Sequence, residues 1–475
     1  MLIDASRPAR VTPGAHSYNL VYVWAISATA ALGGLLFGYD WVVIGGAKPF
    51  YEPYFHLTSE AQIGWANSCA LLGCLIGSVL SGALSDRLGR KKLLIAAAFL
   101  FGVSSLLTGW AHSFNAFVLW RIAGGVAIGI ASNVSPTYIA EIAPAAWRGR
   151  LVTLNQLTIV VGILAAQIVN LLIAGHIADH ATPEMIRASW QGQLGWRWMF
   201  TAVAAPSLIF FVCAFLAPES PRWLIKTGAS DKARRILTRI GGAAYADQEL
   251  NEVAEGLNRE SSEQGSWGEL LRPAVMGLVL MGIGLAVLQQ WSGTNVIFNY
   301  AEDIYRGAGY DLSGVMMNIV ITGAINLIFT LVATGLVDKI GRRTLMLWGS
   351  GGIAVLHVAL GLAFFFGFKG PLVLALTLGV IAVYAMSLAP VTWVLLSEIF
   401  PNRIRGLAMS VAVSALWIAC FAVTFTFPLL NQRLGAAGTF WCYGVFCALG
   451  FLFILRRVPE TKGKSLEDIE RELAG

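Results

Sequence analysis

The chain has 475 residues, of which 56% are hydrophobic and 13% charged, and its mean hydropathy is +0.67. Soluble globular proteins carry about 25% charged residues, so this composition excludes an ordinary soluble domain. The net charge of +6 does not indicate a nucleic-acid partner, because most Lys and Arg residues lie in short segments between long apolar blocks. The composition favours a protein that crosses a membrane many times.

The apolar blocks have the length, about 20 residues, that a helix needs to cross the hydrocarbon core of a bilayer. The first block has no obvious small-residue cleavage site, which predicts a retained helix and not a signal peptide. Twelve spans are predicted in chain order: 20–46, 61–83, 93–110, 113–138, 151–175, 196–217, 274–301, 314–337, 345–367, 371–396, 407–430 and 436–456. We therefore expect an all-α membrane protein with twelve transmembrane helices.

Two sets of six spans flank one long polar insert, which contains helix-like stretches with Arg and Glu on one side. An even number of spans places both termini on one side, and the excess of Lys and Arg marks that side as cytoplasmic. The short loops fit a multi-pass protein of a bacterial inner (plasma) membrane. The predicted parts are a cytoplasmic arm (1–19), a six-helix bundle (20–217), a cytoplasmic linker with short helices (218–273), a second six-helix bundle (274–456) and a cytoplasmic tail (457–475), in which 466–473 is a further candidate helix.

Short motifs recur in the same order in the two halves. The repeats are SDRLGR at 85–90 with VDKIGR at 337–342, EIAP at 141–144 with EIFP at 398–401, and PES at 218–220 with PET at 459–461. Three ordered pairs at a nearly constant offset indicate an internal duplication. In a membrane chain this predicts two pseudo-symmetric bundles that rock about a central site, as in transporters built from parallel repeats.

Asp40 is an acid inside the first predicted span. A carboxylate at that depth costs several kcal/mol unless it is paired or protonated. The candidate partner is Arg121, at the start of the fourth span. An acid that exchanges an arginine partner for a proton is a device for proton coupling. The alternative is a permanent structural ion pair, which transport indifferent to pH would favour.

Five amide side chains within predicted spans are candidate ligands: Gln156, Gln289, Gln290, Asn295 and Asn326. Uncharged amides offer both hydrogen-bond donors and acceptors, which suits the hydroxyl groups of a neutral polar solute. Amides within membrane helices also join helices to one another, so each has a structural alternative.

Aromatic side chains at Phe37, Trp393 and Trp417 offer flat apolar faces to a sugar ring. The amides at 289–295 are the more specific signal, since they bracket Gly293, where their helix can be interrupted. We predict a binding site for a monosaccharide from these amide and aromatic residues.

The repeated motifs also carry charges at the ends of predicted spans. We expect salt bridges among them to hold the cytoplasmic side closed; the alternative is that they only anchor helix ends at the membrane surface. The predicted gate residues are Asp86, Arg87, Arg90, Glu141, Arg148, Glu219 and Arg222 in the first half, and Asp338, Arg342, Arg343, Glu398 and Arg405 in the second.

Taken together, these motifs resemble the sugar porter family of the major facilitator superfamily, and the resemblance covers essentially the whole chain. The segments that carry it are GALSDRLGRK at 82–91, Arg121 with PTYIAE at 136–141, PESPRW at 218–223, QQWSGTN at 289–295 and PETKG at 459–463. The resemblance implies two six-helix bundles with a monosaccharide bound between them.

The resemblance also implies roles for single residues. Family positions matching Gln156, Gln289, Gln290, Asn295, Asn326 and Trp393 contact the sugar, and those matching Phe37 and Trp417 flank it. The family's bacterial proton–xylose symporter has an acid at the position of Asp40, whereas animal glucose facilitators have asparagine. Asp40 therefore favours proton symport.

The chain departs from that symporter at four positions. Ile163 replaces a glutamine, Asn299 a tyrosine, Ala389 a glycine and Leu416 a polar residue. Each lost hydrogen-bonding group changes discrimination between sugars by about 1 kcal/mol or more. These changes put xylose itself in doubt and mildly favour a hexose, so the sugar is left open.

The sequence thus predicts a proton-coupled monosaccharide importer that needs no cofactor or metal, with sugar, proton and lipid bilayer as its partners and a complete pathway in one monomer. The rivals are a passive uniporter of the same fold and a membrane sugar sensor, although the short tail argues against a sensor. An enzyme is not expected, because no nucleophile–base pair, metal cluster or phosphate loop is present. The glycines at 124–129 lie within a span, so they are expected to be helix-packing residues.

Overall fold

The computed structural model describes residues 17–177, 181–262, 267–401 and 403–462. Within those ranges the chain forms helices and turns, with no β-strand. Most of the predicted N-terminal arm and the candidate tail helix at 466–473 lie outside the described residues.

The first half of the chain, called the N half below, supplies six crossings. Its helices are α1 (Leu20–Phe55), α2 (Glu60–Leu88), α3 (Arg90–Gly109), α4 (Phe114–Ile142), α5 (Ala145–Ala174), the short α6 (Pro183–Ala188), α7 (Trp196–Thr201) and α8 (Ala204–Leu216), with a π-helical turn (Gln191–Gly195) before α7. Together the π-helical turn, α7 and α8 form the sixth crossing.

The polar insert folds into α9 (Pro221–Lys226), α10 (Ser230–Ser262) and a 3₁₀ turn (Trp267–Leu271). Gly242 interrupts α10 with a left-handed backbone (φ 86°), so this segment is two short helices, as its composition predicts.

The remaining helices form the second half of the chain, called the C half. They are α11 (Pro273–Trp291), α12 (Thr294–Asn299), α13 (Ala301–Gly307), α14 (Leu312–Ile340), α15 (Arg342–Phe365), α16 (Pro371–Met386), α17 (Leu388–Ile399) and α18 (Arg405–Arg457). Among the described residues, 11 helical stretches are long and apolar enough to span a membrane, and the last has 53 residues. A straight helix of that length would reach about 80 Å. Gly435 (φ 68°) breaks it, which supplies the twelfth crossing.

The first helix differs from its prediction, because it continues through Pro49 and Pro53 to Phe55 instead of ending at 46. Lys48 therefore lies inside a helix and is only 2% exposed. A lysine lowers local hydropathy, and this ended the predicted span. In the folded chain, carboxylates neutralise its charge and the helix continues.

Close approach between backbones sets the helix positions. A Cβ atom on Gly125 of α4 would lie 1.9 Å from the carbonyl oxygen of Ala70, and one on Gly38 of α1 would lie 1.9 Å from that of Ile159. Only glycine allows such contact. The prediction that the 124–129 glycines pack helices is confirmed, and the α1–α5 contact holds the Asp40 segment against the Gln156 segment.

Two spans of the C half are interrupted, each beside the candidate site. Gly293 (φ 79°) separates α11 from α12, and Ser387 (φ −128°, ψ −86°) separates α16 from α17. His357 lies behind the first break, with its Nε2 2.7 Å from the carbonyl oxygen of Ser292. The interruption anticipated at Gly293 is present, and it turns polar side chains and backbone groups into the bundle.

Candidate functional site

Asp40 and Arg121 form a buried ion pair within the N half. Arg121 Nη1 donates to Asp40 Oδ1 at 2.9 Å and Nη2 to the Asp40 carbonyl oxygen at 3.4 Å, and both side chains are at most 5% exposed. The guanidinium also lies over the ring of Phe200, 5.4 Å from its centroid. The second carboxylate oxygen of Asp40 is buried and has no hydrogen-bond partner among the described residues. The site therefore holds one paired oxygen and one oxygen available to a proton.

The amides at the α11–α12 break form a connected group. Gln289 Nε2 donates to the carbonyl oxygens of Leu388 and Ala389, both at 3.2 Å, and so joins the two interrupted spans. Gln290 Nε2 donates to Gln289 Oε1 at 3.1 Å, and its own Oε1 accepts from Asn295 Nδ2. The structure brings together these three predicted sugar ligands.

An aromatic cluster adjoins this amide group. The ring centroids of Phe37, Trp41 and Trp417 lie 5.8 to 6.2 Å apart, so the cluster joins α1 of the N half to α18 of the C half. Cys420, one turn beyond Trp417, has its Sγ 3.5 Å from Asn295 Nδ2. The buried indole N–H of Trp417 has no partner in the described structure, so it is a donor available to a ligand.

Trp41 is a member of this cluster that the sequence reasoning missed. It lies four residues after Phe37, one helical turn further along α1, and follows Asp40 directly. That spacing places Trp41 and Phe37 on one face of the helix and could have revealed it.

The other predicted sugar ligands make no hydrogen bond to the amide group in the described structure. Gln156 on α5 is half-buried and Asn326 on α14 is buried, and neither makes a hydrogen bond within the described ranges. Trp393, 38% exposed, lies one turn after Ala389. Buried amides without protein partners are suited to an external ligand.

A second residue that the sequence reasoning missed, Gln167, lies on α5 and faces α14. It is 1% exposed, and its Oε1 has no partner among the described residues. The oxygen faces the bare backbone of Gly323, one turn from Asn326, and the side chain of Leu164 faces Gly323 as well. The neighbouring Ile163, a position noted above as a departure, is also buried.

The repeated charged motifs lie at one end of the bundle, called the motif end below. Arg90 Nη2 lies 2.8 Å from Glu141 Oε1, and its Nη1 lies 3.4 Å from Asp86 Oδ1. Lys226 from the linker lies 3.0 Å from the other Asp86 oxygen. Each of these pairs is internal to the N half and its linker.

The C half repeats part of this arrangement. Arg342 Nη2 lies 3.3 Å from Glu398 Oε1, Arg343 donates to the Leu455 carbonyl oxygen at 2.7 Å, and Arg405 donates to that of Phe400 at 3.2 Å. The Asp338 side chain lies outside the described part of the chain. The remaining predicted gate residues are exposed, at Arg87 and Arg148, or half-buried, at Arg222.

A pair of glutamates relates the two halves most closely. Glu219 accepts hydrogen bonds from the first two backbone N–H groups of α3, both at 3.0 Å, and Glu460 accepts those of α15 at 2.9 and 3.2 Å. A Cβ atom on Gly89 or Gly341, at the two helix starts, would lie within 2.7 Å of these carboxylates. Glu460 was not among the predicted gate residues, although the PES and PET repeats align it with Glu219.

A different charge cluster lies at the opposite end of the bundle, where α1 ends and α13 begins. Lys48 Nζ lies 3.4 Å from Glu52, 3.1 Å from Glu302 and 3.0 Å from Asp303, and Glu302 also pairs with Arg306 at 3.1 Å. These five residues are called the Lys48 cluster below. It joins α1 of the N half to α13 of the C half, and the sequence reasoning assigned it no role.

The comparisons with known proteins agree with this architecture. The family model described as "Sugar (and other) transporter" matches residues 26–473. The chain is 38% identical to the arabinose-proton symporter of Bacillus subtilis (97% of each chain) and 39% identical to the D-xylose-proton symporter of Escherichia coli K12 (95% of this chain, 96% of that one).

Among solved structures, the partially occluded inward open conformation of the xylose transporter XylE from E. coli superposes with a TM-score of 0.82 at 36% identity, covering 94% of this chain and 100% of that one. The predicted twelve-helix, two-bundle fold is confirmed, and the family is one of transporters and not of enzymes. This chain belongs to the sugar transporter family of the major facilitator superfamily.

Proposed function

We propose that this chain is a proton-coupled symporter that imports a monosaccharide, hexose or pentose, by alternating access. The observation that carries the proposal is the buried Asp40–Arg121 pair, in which one carboxylate oxygen is bonded and the other is bare. Its two relatives above are named as proton symporters of arabinose and of xylose. A buried acid with one unsatisfied oxygen can exchange part of its arginine contact for a proton without a large rearrangement.

The proposed sugar site lies between the halves, beside the interrupted helices. Gln289, Gln290 and Asn295 supply donors and acceptors from the C half, and the partnerless amides of Gln156 and Asn326 complete the polar set. Phe37 and Trp417, with Trp41 beside them, supply apolar faces, and Trp393 lies near Gln289. The ligands come from both halves of one chain, which supports a functional monomer.

In the proposed cycle, Asp40 takes up a proton when the site faces outward, which weakens its hold on Arg121. Sugar then binds, the halves close above it, and the motif end opens. Sugar and proton leave on that side, and Asp40 pairs again with Arg121. The motif end is assigned to the cytoplasm from the excess of Lys and Arg in its segments. The cross-half contacts at the opposite end support an inward-facing state for the described conformation.

The decisive experiment records external pH in a lightly buffered, de-energised suspension of cells that express the chain, while hexoses and pentoses are added one at a time. Symport should make the medium alkaline with one sugar, because protons enter with it. Cells expressing the Asp40→Asn variant are the control and should give no pH change. Entry of a labelled sugar without any pH change in the wild type would contradict proton coupling and indicate a uniporter.

A further inference from the structure

The Lys48 cluster holds more carboxylates than cations, and its inner members are withdrawn from water, whereas Asp303 and Arg306 are partly exposed. Glu52, Glu302 and Asp303 contribute three acids, while Lys48 and Arg306 contribute two bases. The Lys48, Glu52 and Glu302 side chains are at most 14% exposed. An uncompensated buried charge is costly, so such a group neutralises itself by binding a proton.

Glu52 is the member best placed to hold that proton. Its contact with Lys48, at 3.4 Å, is longer than those of Glu302 and Asp303. Its Oε1 is buried and has no hydrogen-bond partner among the described residues. A protonated Glu52 would keep one oxygen for Lys48 and leave two cations facing two carboxylates.

Among the described residues, Lys48 and Arg306 are the cations within ion-pair distance of these carboxylates. The charged and titratable groups that act on the cluster from neighbouring segments are Tyr51 on α1, Glu60 at the start of α2 and Tyr300 before α13. Glu60 adds negative charge, and neither tyrosine supplies a positive one. Burial also raises the pKa of the Asp303 carboxyl, against the opposing effect of Lys48.

We propose that the Lys48 cluster is a proton-binding latch: it takes up one proton, on Glu52, when the halves meet at this end, and releases it when they separate. Separation leaves Lys48 with Glu52 on α1 and the other three members on α13. Water then reaches both groups, Glu52 ionises next to Lys48, and the proton returns to the medium on the same side.

Because uptake and release occur on one side, the latch carries no net proton across the membrane and differs from the role proposed for Asp40. Its effect is to make access from this end depend on pH. The proton is bound more tightly in the closed form, so acid favours closure. Linkage of one proton changes the closed-to-open ratio by at most about tenfold per pH unit.

The role of the latch in transport rests on the alternating access proposed above, but the latch can be tested without measuring transport. Spin labels on Thr58→Cys and Phe368→Cys report the distance between the halves at this end, since both positions are exposed and lie in loops, one in each half. The two partly exposed native cysteines, Cys213 and Cys442, are replaced by alanine. Distances are then measured by electron paramagnetic resonance on the purified, sugar-free protein between pH 5 and 8.

In the otherwise wild-type protein, the closed fraction should rise as the pH falls, and Asp40→Asn should leave this response in place. Glu52→Gln imitates the protonated acid, so it should keep this end closed at every pH. His56→Asn should retain the response, which would exclude the exposed histidine at the end of α1 as its source.

Lys48→Met should shift the population toward the open form by about tenfold or more, a change of ~1.4 kcal/mol. If Lys48→Met does not fold, the neutral combination Lys48→Met, Glu302→Gln and Asp303→Asn removes both signs of charge and should open in the same way. Lys226→Met, which removes a lysine paired within one half, is the matched control and should leave the distance unchanged.

The latch would be disproved by a distance that does not respond to pH, by a response that survives Glu52→Gln, or by a closed fraction unchanged in both Lys48 variants. Failure of sugar transport in cells would overturn the proposed function and leave these distance measurements standing, so the two failures are distinguishable.

Discussion

The two ends of the bundle use charge in opposite ways. At the motif end, Arg90 with Glu141 and Arg342 with Glu398 join residues within a single half. At the other end, Lys48 joins α1 of the N half to Glu302 and Asp303 of the C half. Bonds within a half survive when two rigid bundles rock against each other, whereas bonds between halves must break in every cycle.

This difference separates two tasks. Pairs inside a half hold its helices together, and in the proposed cycle one of them, Asp40 with Arg121, exchanges the transported proton. Pairs across the halves are proposed to set the balance between conformations. The repeated motifs explain why the first kind is found twice. The Lys48 cluster has no counterpart in the repeated motifs, so the control of conformation proposed for it acts at one end only.

The largest effect is expected at Asp40, whose pair with Arg121 lies inside the N half. Asp40→Asn cannot exchange a proton, so accumulation of sugar against a gradient should be lost, while exchange of sugar across the membrane continues because the halves still rock. Uptake and counterflow of labelled sugar in proteoliposomes measure both. Accumulation at the wild-type level in this variant would refute the coupling role.

The next largest effect should come from breaking pairs within a half at the motif end. Arg90→Met leaves Glu141 buried without its cation, and loss of one partner of such a pair costs about 3 kcal/mol of unfolding free energy. Arg342→Met should cost less, because that pair is more exposed. Thermal unfolding in detergent gives the stability. If either variant changed the spin-label distance at the Lys48 end, pairs within a half would also set the conformation, and the two ends would not differ in this way.

Substitutions in the sugar site should change the affinity for sugar and should leave the stability of both ends of the bundle unchanged. Gln290→Ala removes the central amide of the Gln289–Gln290–Asn295 group and should weaken sugar binding by about tenfold, since partners are left unsatisfied. Equilibrium binding of the sugar found in the transport assay measures this. Gln248→Ala, which removes an exposed amide of the linker, is the control. Equal affinities in the two variants would remove Gln290 from the site.

The smallest effect should be shared equally by the two halves. Glu219→Gln and Glu460→Gln each lose charge-assisted hydrogen bonds to the start of a helix, which is worth about 1 kcal/mol of unfolding free energy. Parallel thermal unfolding of the two variants tests this. A loss several times larger in one half than in the other would show that the repeated motifs have diverged in their energetics.

Much of this architecture was predictable. The twelve apolar blocks predicted the helices, because span length and hydropathy are properties of consecutive residues. The PES and PET repeats align Glu460 with Glu219. Only Glu219 was included among the predicted gate residues. The interruption at Gly293 could be anticipated because polar amides surround a glycine there.

Other features depended on which helix faces meet. Lys48 ended the first predicted span because one lysine lowers the local hydropathy, but three carboxylates close to it allow α1 to continue to Phe55. The predicted gate residues include pairs that the structure shows to be internal to each half, a distinction that charge and spacing do not contain. Trp41 and Gln167 gain their roles only from neighbours on α18 and α14.

The sequence by itself determined the family, the number of crossings, the duplication and the chemical types available to a site, because these follow from local composition and short motifs. The tertiary structure alone decided that Lys48 binds two acids more than 250 residues away, which oxygens of Asp40 and Glu52 remain without partners, and which charges bridge the halves. The physical reason is that burial and pairing are set by long-range packing, and a charge has no defined partner until the helices around it have met.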